Sequence, residues 1–163
     1  MSERFEISRV FEASRERVWD AWTKPNQLAR WLAPKGTTSE VKHFELRSGG
    51  YLHSKLTGEN GSVSWGKNIY REIDPPSRLV WEQGFSNEDG EIVPAPFPMP
   101  WPALMLTTVV FENEGARTRV TLTWEPINPS KAERESFAQM FPSMTGGWTG
   151  TFDKLDTFLT SGR

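Results

Sequence analysis

The sequence predicts an α+β fold in which a curved antiparallel sheet of about seven strands wraps round a long C-terminal helix, with two short helices after the first strand. Three observations carry this expectation. Strand-like runs rich in Val, Thr, Tyr, Phe and Trp fill the chain from Thr37 to Trp124, and their hairpin-length turns leave no room for crossover helices. A helical pattern follows the first strand directly and is interrupted by Pro25. The segment 130–159 repeats apolar side chains at helical spacing.

The elements follow in order. Phe5 to Ala13 alternates Phe5, Ile7, Arg9 and Phe11 against Glu6, Ser8, Val10 and Glu12, a period of two with one mostly apolar face that Arg9 interrupts. Ser14 offers an N-cap, Val18, Ala21 and Trp22 recur at helical spacing, and Pro25 opens a second helix carrying Leu28, Trp31 and Leu32. Turn signals at Ser48-Gly49-Gly50, Glu59-Asn60-Gly61, Asp74-Pro75-Pro76 and Asn113-Glu114-Gly115 then divide an antiparallel meander. Phe137, Met140, Phe141, Met144, Trp148, Phe152, Leu155 and Leu159 share one side of the closing helix and must cover the sheet. Pro142 and Gly146-Gly147 interrupt that pattern, so either a kinked helix or a short helix joined by a loop to a long one is expected.

Composition narrows the function classes. A chain of 163 residues, 36% hydrophobic, is the size and apolarity of one folded domain. Nineteen Lys and Arg against 21 Asp and Glu leave a net charge of -2, with no field to gather nucleic acid or anionic lipid. The absence of cysteine removes disulfides, thiolate catalysis and thiolate metal sites together. Met1 to Val10 lacks the continuous apolar stretch of a secretory signal and no run is long enough to span a membrane, so the cytoplasm is the expected location. Eight Trp and ten Phe stand against two Tyr, an aromatic content mostly without polar tips.

The segment 86–103 places proline at 94, 96, 98, 100 and 102, each lacking the N–H that a central strand needs. No two of them stand three apart, so the pattern read by Pro-rich recognition domains is absent. What remains is an extended arm presenting Phe97, Met99 and Trp101, read as a lid or an interface arm.

Catalytic signatures are sparse. Ser39-Glu40-Val41-Lys42 has S-x-x-K spacing but begins a strand, where the acylating serine would open a helix. Gly146 to Gly150 has phosphate-loop glycines without a preceding strand or a lysine, and Asn60-Gly61-Ser62 reads as a hairpin turn rather than a glycosylation site. His43 and His53 could face each other across a hairpin with Glu45 nearby, but alternation sets them opposite Phe44 and Leu52, towards water; no metal is expected. Arg9, Ser54, Gln83 and Thr107 are the polar groups that alternation turns inward, and Arg9 is expected to pair with Glu125 or Asp156.

The aromatic residues carry a binding reading. Leu79 and Trp81, the series Met105, Thr107, Val109 and Phe111, and the series Val120, Leu122 and Trp124 give neighbouring strands one apolar face. A strongly twisted sheet does not fill its concave side evenly, and Gly146 and Gly147 remove volume where filling is needed. The expected walls of the resulting cavity are Trp31, Trp65, Trp81, Phe85, Met105, Met144 and Trp148, with Trp101 at the mouth and Arg9 or Gln83 as its polar group.

Several motifs carry a family resemblance. Arg9-Val10-Phe11-Glu12-Ala13, Val18-Trp19-Asp20-Ala21-Trp22, Trp31-Leu32-Ala33-Pro34, Glu45-Leu46-Arg47-Ser48-Gly49-Gly50, Tyr70 to Pro76 with Arg78-Leu79-Val80, and Gly147-Trp148 with Asp153-Lys154-Leu155 span nearly the whole chain. Together they resemble the activator of heat-shock protein 90 ATPase-like family of the SRPBCC (START-like) superfamily. The resemblance implies the helix-grip fold, and a function among carriers of hydrophobic molecules, cyclase-like enzymes of polyketide synthesis and chaperone-ATPase activators. The leading expectation is a binding protein for a small hydrophobic or aromatic molecule, without a cofactor or assigned catalytic residue. A homodimer or a chaperone contact through the arm is the further partner expectation, and a cyclase-like enzyme using Arg9 or Gln83 is the alternative.

Overall fold

The computed structural model describes residues 4–33 and 36–161, so Pro34 of the Trp31–Pro34 motif lies outside the described residues. The elements are β1 (Phe5–Phe11), α1 (Arg15–Thr23), α2 (Pro25–Trp31), β2 (Thr37–Phe44), β3 (Tyr51–Gly58), β4 (Val63–Asp74), β5 (Arg78–Ser86), β6 (Met105–Glu114), β7 (Arg117–Pro126), α3 (Lys131–Gln139) and α4 (Phe141–Ser161).

Local chemistry sets the helix boundaries. The Ser14 side chain accepts from the Arg17 backbone N–H at 3.2 Å, and Pro25 occupies the first turn of α2, where its missing N–H costs nothing. Ser130 and Glu133 close a reciprocal capping box at the start of α3.

Hairpin connections from β2 to β7 force an antiparallel meander, and β1 closes it by pairing with β7, giving the order β1-β7-β6-β5-β4-β3-β2. Register shifts between Val41 and His43 and between Tyr70 and Glu72 mark the bulges that bend this sheet. The pairs Thr107 with Trp124, Val109 with Leu122 and Phe111 with Val120 put the expected apolar series on one face. Helices α1, α2 and α4 pack against that face. Phe11, Trp22, Trp31, Phe111, Phe152 and Leu155 are among the most buried side chains, each contributing roughly 1.5–3 kcal/mol by leaving water.

The C-terminal segment differs from a kinked helix. Met140 separates α3 from α4 with no longer loop, and Pro142 is the second residue of α4, a position that leaves no internal hydrogen bond missing. Gly146 and Gly147 lie within regular helix.

Candidate pocket between the sheet and the closing helix

Apolar residues at Met144 and Trp148, with Gly147 and Thr151, share the face of α4 that looks onto β3–β7. Between this face and the sheet lies an open pocket of about 330 Å³. Trp81, Gln83, Phe85 and Met105 line its sheet side, Met144 and Trp148 its helix side, and Trp101 stands beside it at the end of the Pro-rich arm. Trp65 also touches the pocket, but its ring stacks on His53 with 5.1 Å between centroids and carries the Lys55 ammonium 5.9 Å from its centre. Strand alternation explains this: Trp65 pairs with Lys55, whereas the pocket-lining Gly66 pairs with Ser54 on the other face.

Two expected site residues fall elsewhere. Trp31 is fully buried against Trp22, 4.6 Å between ring centroids, and its Nε1–H donates to the Ala21 carbonyl at 2.9 Å; it belongs to the packed core next to the pocket. Arg9 is not among the lining residues. Its Nη1 pairs with Asp153 at 2.9 Å, one turn before the expected Asp156, because β1 runs along α4 at that level. Glu125, the other expected partner, is on β7 facing Leu106 of β6.

The polar groups of the pocket are uncharged. Gln83 Oε1 accepts from Trp81 Nε1–H and from the Thr107 hydroxyl, both at 2.9 Å. Asn68 stands directly opposite Gln83 across the β4–β5 pair, and Ser54 contributes a hydroxyl from β3. The Thr151 hydroxyl is turned back onto the Gly147 carbonyl at 3.1 Å. No Asp, Glu, Lys, Arg or His is among the described lining residues.

Asn68, Leu56, Gly66, Trp124 and Thr151 also line the pocket, none of them expected from the sequence as a wall. A signal existed for Asn68: it shares a strand phase with Gly66 and the buried Tyr70, whereas the conspicuous Trp65 sits in the opposite phase.

The two histidines differ in exposure. His43 and His53 do face each other in register, and His43 bonds Glu45 at 2.8 Å, but His53 is buried rather than surface-exposed. The turn at Asn87–Gly90 covers it, with His53 Nε2 at 3.1 Å from the Asn87 carbonyl. Hydrogen bonds from His43 and then Arg47 hold the Glu45 carboxyl below the usual carboxylate range. Among the described residues no cluster of three or more His, Cys, Asp or Glu is placed to hold a metal.

The arm is packed on its own chain. Ile92 bridges back to Ser86, Phe97 sets its ring edge-on to Phe85 at 5.4 Å and to Trp101 at 5.4 Å, and Trp101 meets Phe137 at 5.8 Å. Phe97 remains 40% exposed. Nearly one turn beyond Thr151 on α4, Lys154 Nζ donates to the carbonyls of Ala33 and Thr37 at 3.1 and 3.2 Å, and burial pulls its ammonium below the ordinary lysine value.

A seven-stranded antiparallel sheet curled round a closing helix, with two short helices after the first strand, is a helix-grip fold. Solved structures share it throughout. A protein from Arthrobacter aurescens superposes with a TM-score of 0.80 at 26% identity, covering 97% of this chain and 86% of its own. One from Mycobacterium smegmatis gives 0.77 at 22%, covering 96% and 90%. Another from Silicibacter pomeroyi gives 0.75 at 16%, covering 99% and 100%. Residues 12–160 match the family described as Activator of Hsp90 ATPase homolog 1-like protein, and the chain belongs to that family. No curated protein matches the sequence. No helix among the described residues is long and apolar enough to cross a membrane.

Proposed function

We propose that this protein binds a small hydrophobic molecule in the pocket between the sheet and α4, with the Pro-rich arm as a lid beside the mouth. The observation that carries the reading is the lining itself: about 330 Å³ walled by Trp, Phe, Met and Leu, with a few neutral polar groups on one side. Burying roughly 200 Å² of apolar ligand surface would supply on the order of 5 kcal/mol before the costs of immobilisation. The binding reading is preferred to a cyclase-like one because Arg9 is held by Asp153 away from Gln83 and the lining offers no acid–base pair. A homodimer or a chaperone contact would use the half-exposed Phe97 of the arm, whose neighbours Phe85 and Trp101 are already engaged within the chain.

Titrating tryptophan fluorescence with sterols, flavonoids and fatty acids tests the reading. Saturable quenching by at least one class is expected, since Trp81, Trp124 and Trp148 all line the pocket. Flat titrations with all three would contradict it.

A further inference from the structure

The proposed ligand pocket has a fixed polarity. Trp81 Nε1 can only donate, so the Gln83 atom facing it at 2.9 Å must be the carboxamide oxygen. The Thr107 hydroxyl, fully buried, donates to the same oxygen at 2.9 Å. Two donors therefore fix the orientation of the Gln83 amide and occupy its acceptor. The Gln83 amino group has no hydrogen-bond partner among the described residues, and neither do the Asn68 carboxamide opposite it or the Ser54 hydroxyl on the next strand. These three groups form a short polar row across β5, β4 and β3; the other polar atoms of the lining include the Thr151 hydroxyl, turned onto the Gly147 carbonyl, and the buried Nε1–H of Trp124 on β7, which has no partner among the described residues.

We infer that the ligand is an uncharged, largely aromatic or alicyclic molecule carrying a hydrogen-bond acceptor of carbonyl type, which the Gln83 amino group reads. This deepens the binding reading above and rests on it. Two physical points support it. A donor that is oriented in advance and lacks a protein partner favours a ligand acceptor over a hydrocarbon, because a hydrocarbon would strip water from the amide and return nothing. An ionised carboxylate would lose its hydration in a lining that has no cation among its described residues, a cost that one neutral amide does not offset. The preference therefore runs against fatty-acid anions and towards ketones, esters and lactones.

Calorimetric titration of the intact protein with three probes of similar shape tests this: 2-acetonaphthone, 2-ethylnaphthalene and 2-naphthoate. The ketone is expected to bind about tenfold more tightly than the hydrocarbon, the worth of one hydrogen bond in a water-poor site, and the carboxylate more weakly than the ketone by at least that factor. Gln83→Met is expected to bring the ketone and hydrocarbon to within about twofold of each other. Equal binding of ketone and hydrocarbon by the unaltered protein, or tightest binding of the carboxylate, would overturn the inference while leaving a ligand pocket in place. A ketone preference that survives in Gln83→Met would overturn the role given to Gln83. Absence of binding by all three probes would overturn both readings. The comparison among probes needs no variant, so it stands even if Gln83→Met fails to fold.

Discussion

At the scale of single residues, one missing side chain keeps the pocket mouth open. Gly147 borders the pocket beside the buried Met144, Trp148 and Thr151 but is itself exposed, and a Cβ built on it would meet nothing within 4 Å. A long side chain there can lie across the mouth without disturbing its neighbours, and leucine is a better helix former than glycine by nearly 1 kcal/mol. Gly147→Leu is therefore expected to keep or raise the melting temperature, read by circular dichroism, while weakening ligand quenching at least tenfold. Tyr70 gives a separate residue-scale prediction. Burial pushes its hydroxyl well above the ordinary tyrosine value, so the folded state keeps the proton that the unfolded chain releases near pH 10. The stabilisation from this group is whole below about pH 10 and declines as pH rises beyond it, at up to about 1.4 kcal/mol per pH unit. Urea unfolding in that alkaline range should show a shallower pH slope for Tyr70→Phe than for the unaltered chain.

The element scale shows what the sequence could and could not disclose. Strands and caps were legible because alternation, Ser14, Pro25 and the glycine turns each specify local backbone geometry. The phase of β4 was harder to read. Trp65 touches the pocket, as its bulk suggests, but it pairs with Lys55 and its ring stacks on His53 at the other face of the sheet. The burial of His53 was not legible either, since it depends on a loop from residues 87–90, remote in sequence. For Arg9 the type of partner was readable and the particular carboxylate was not, because the choice between Asp153 and Asp156 is set by how far α4 slides along β1. The attachment of the arm likewise rests on a contact that composition cannot show. A Cβ on Gly84 would come within 2.5 Å of the Ala103 carbonyl oxygen, so the arm rejoins the sheet only because β5 has no side chain there. Gly84→Ala is expected to cost about 1–3 kcal/mol in urea unfolding, since backbone must shift, and to increase protease cleavage between Pro94 and Ala103.

For the whole molecule, the fold divides the aromatic residues into two groups. Trp19, Trp22 and Trp31 lie outside the pocket lining; Trp22 packs against Trp31 and Phe111, and Trp19 meets Phe111 at 5.4 Å. Trp81, Trp101, Trp124 and Trp148 line the pocket between sheet and α4. The first group joins β6 to α1 and α2, and Trp22 also meets Trp81 and Trp148, 6.2 and 6.4 Å between ring centroids, so the pocket rings rest on the packed core. Family membership fixes this architecture, while the chemistry of the lining carries the functional reading. The most direct test follows the indole N–H signals in a two-dimensional NMR titration with 2-acetonaphthone. Saturable shifts are expected for Trp81, Trp124 and Trp148 together with the amides of Gly66 and Gly147, while Trp19 and Trp31 stay in place. Saturable shifts confined to Trp19, Trp31 or the outer face of the sheet, or no saturable shift at all, would contradict ligand binding in this pocket.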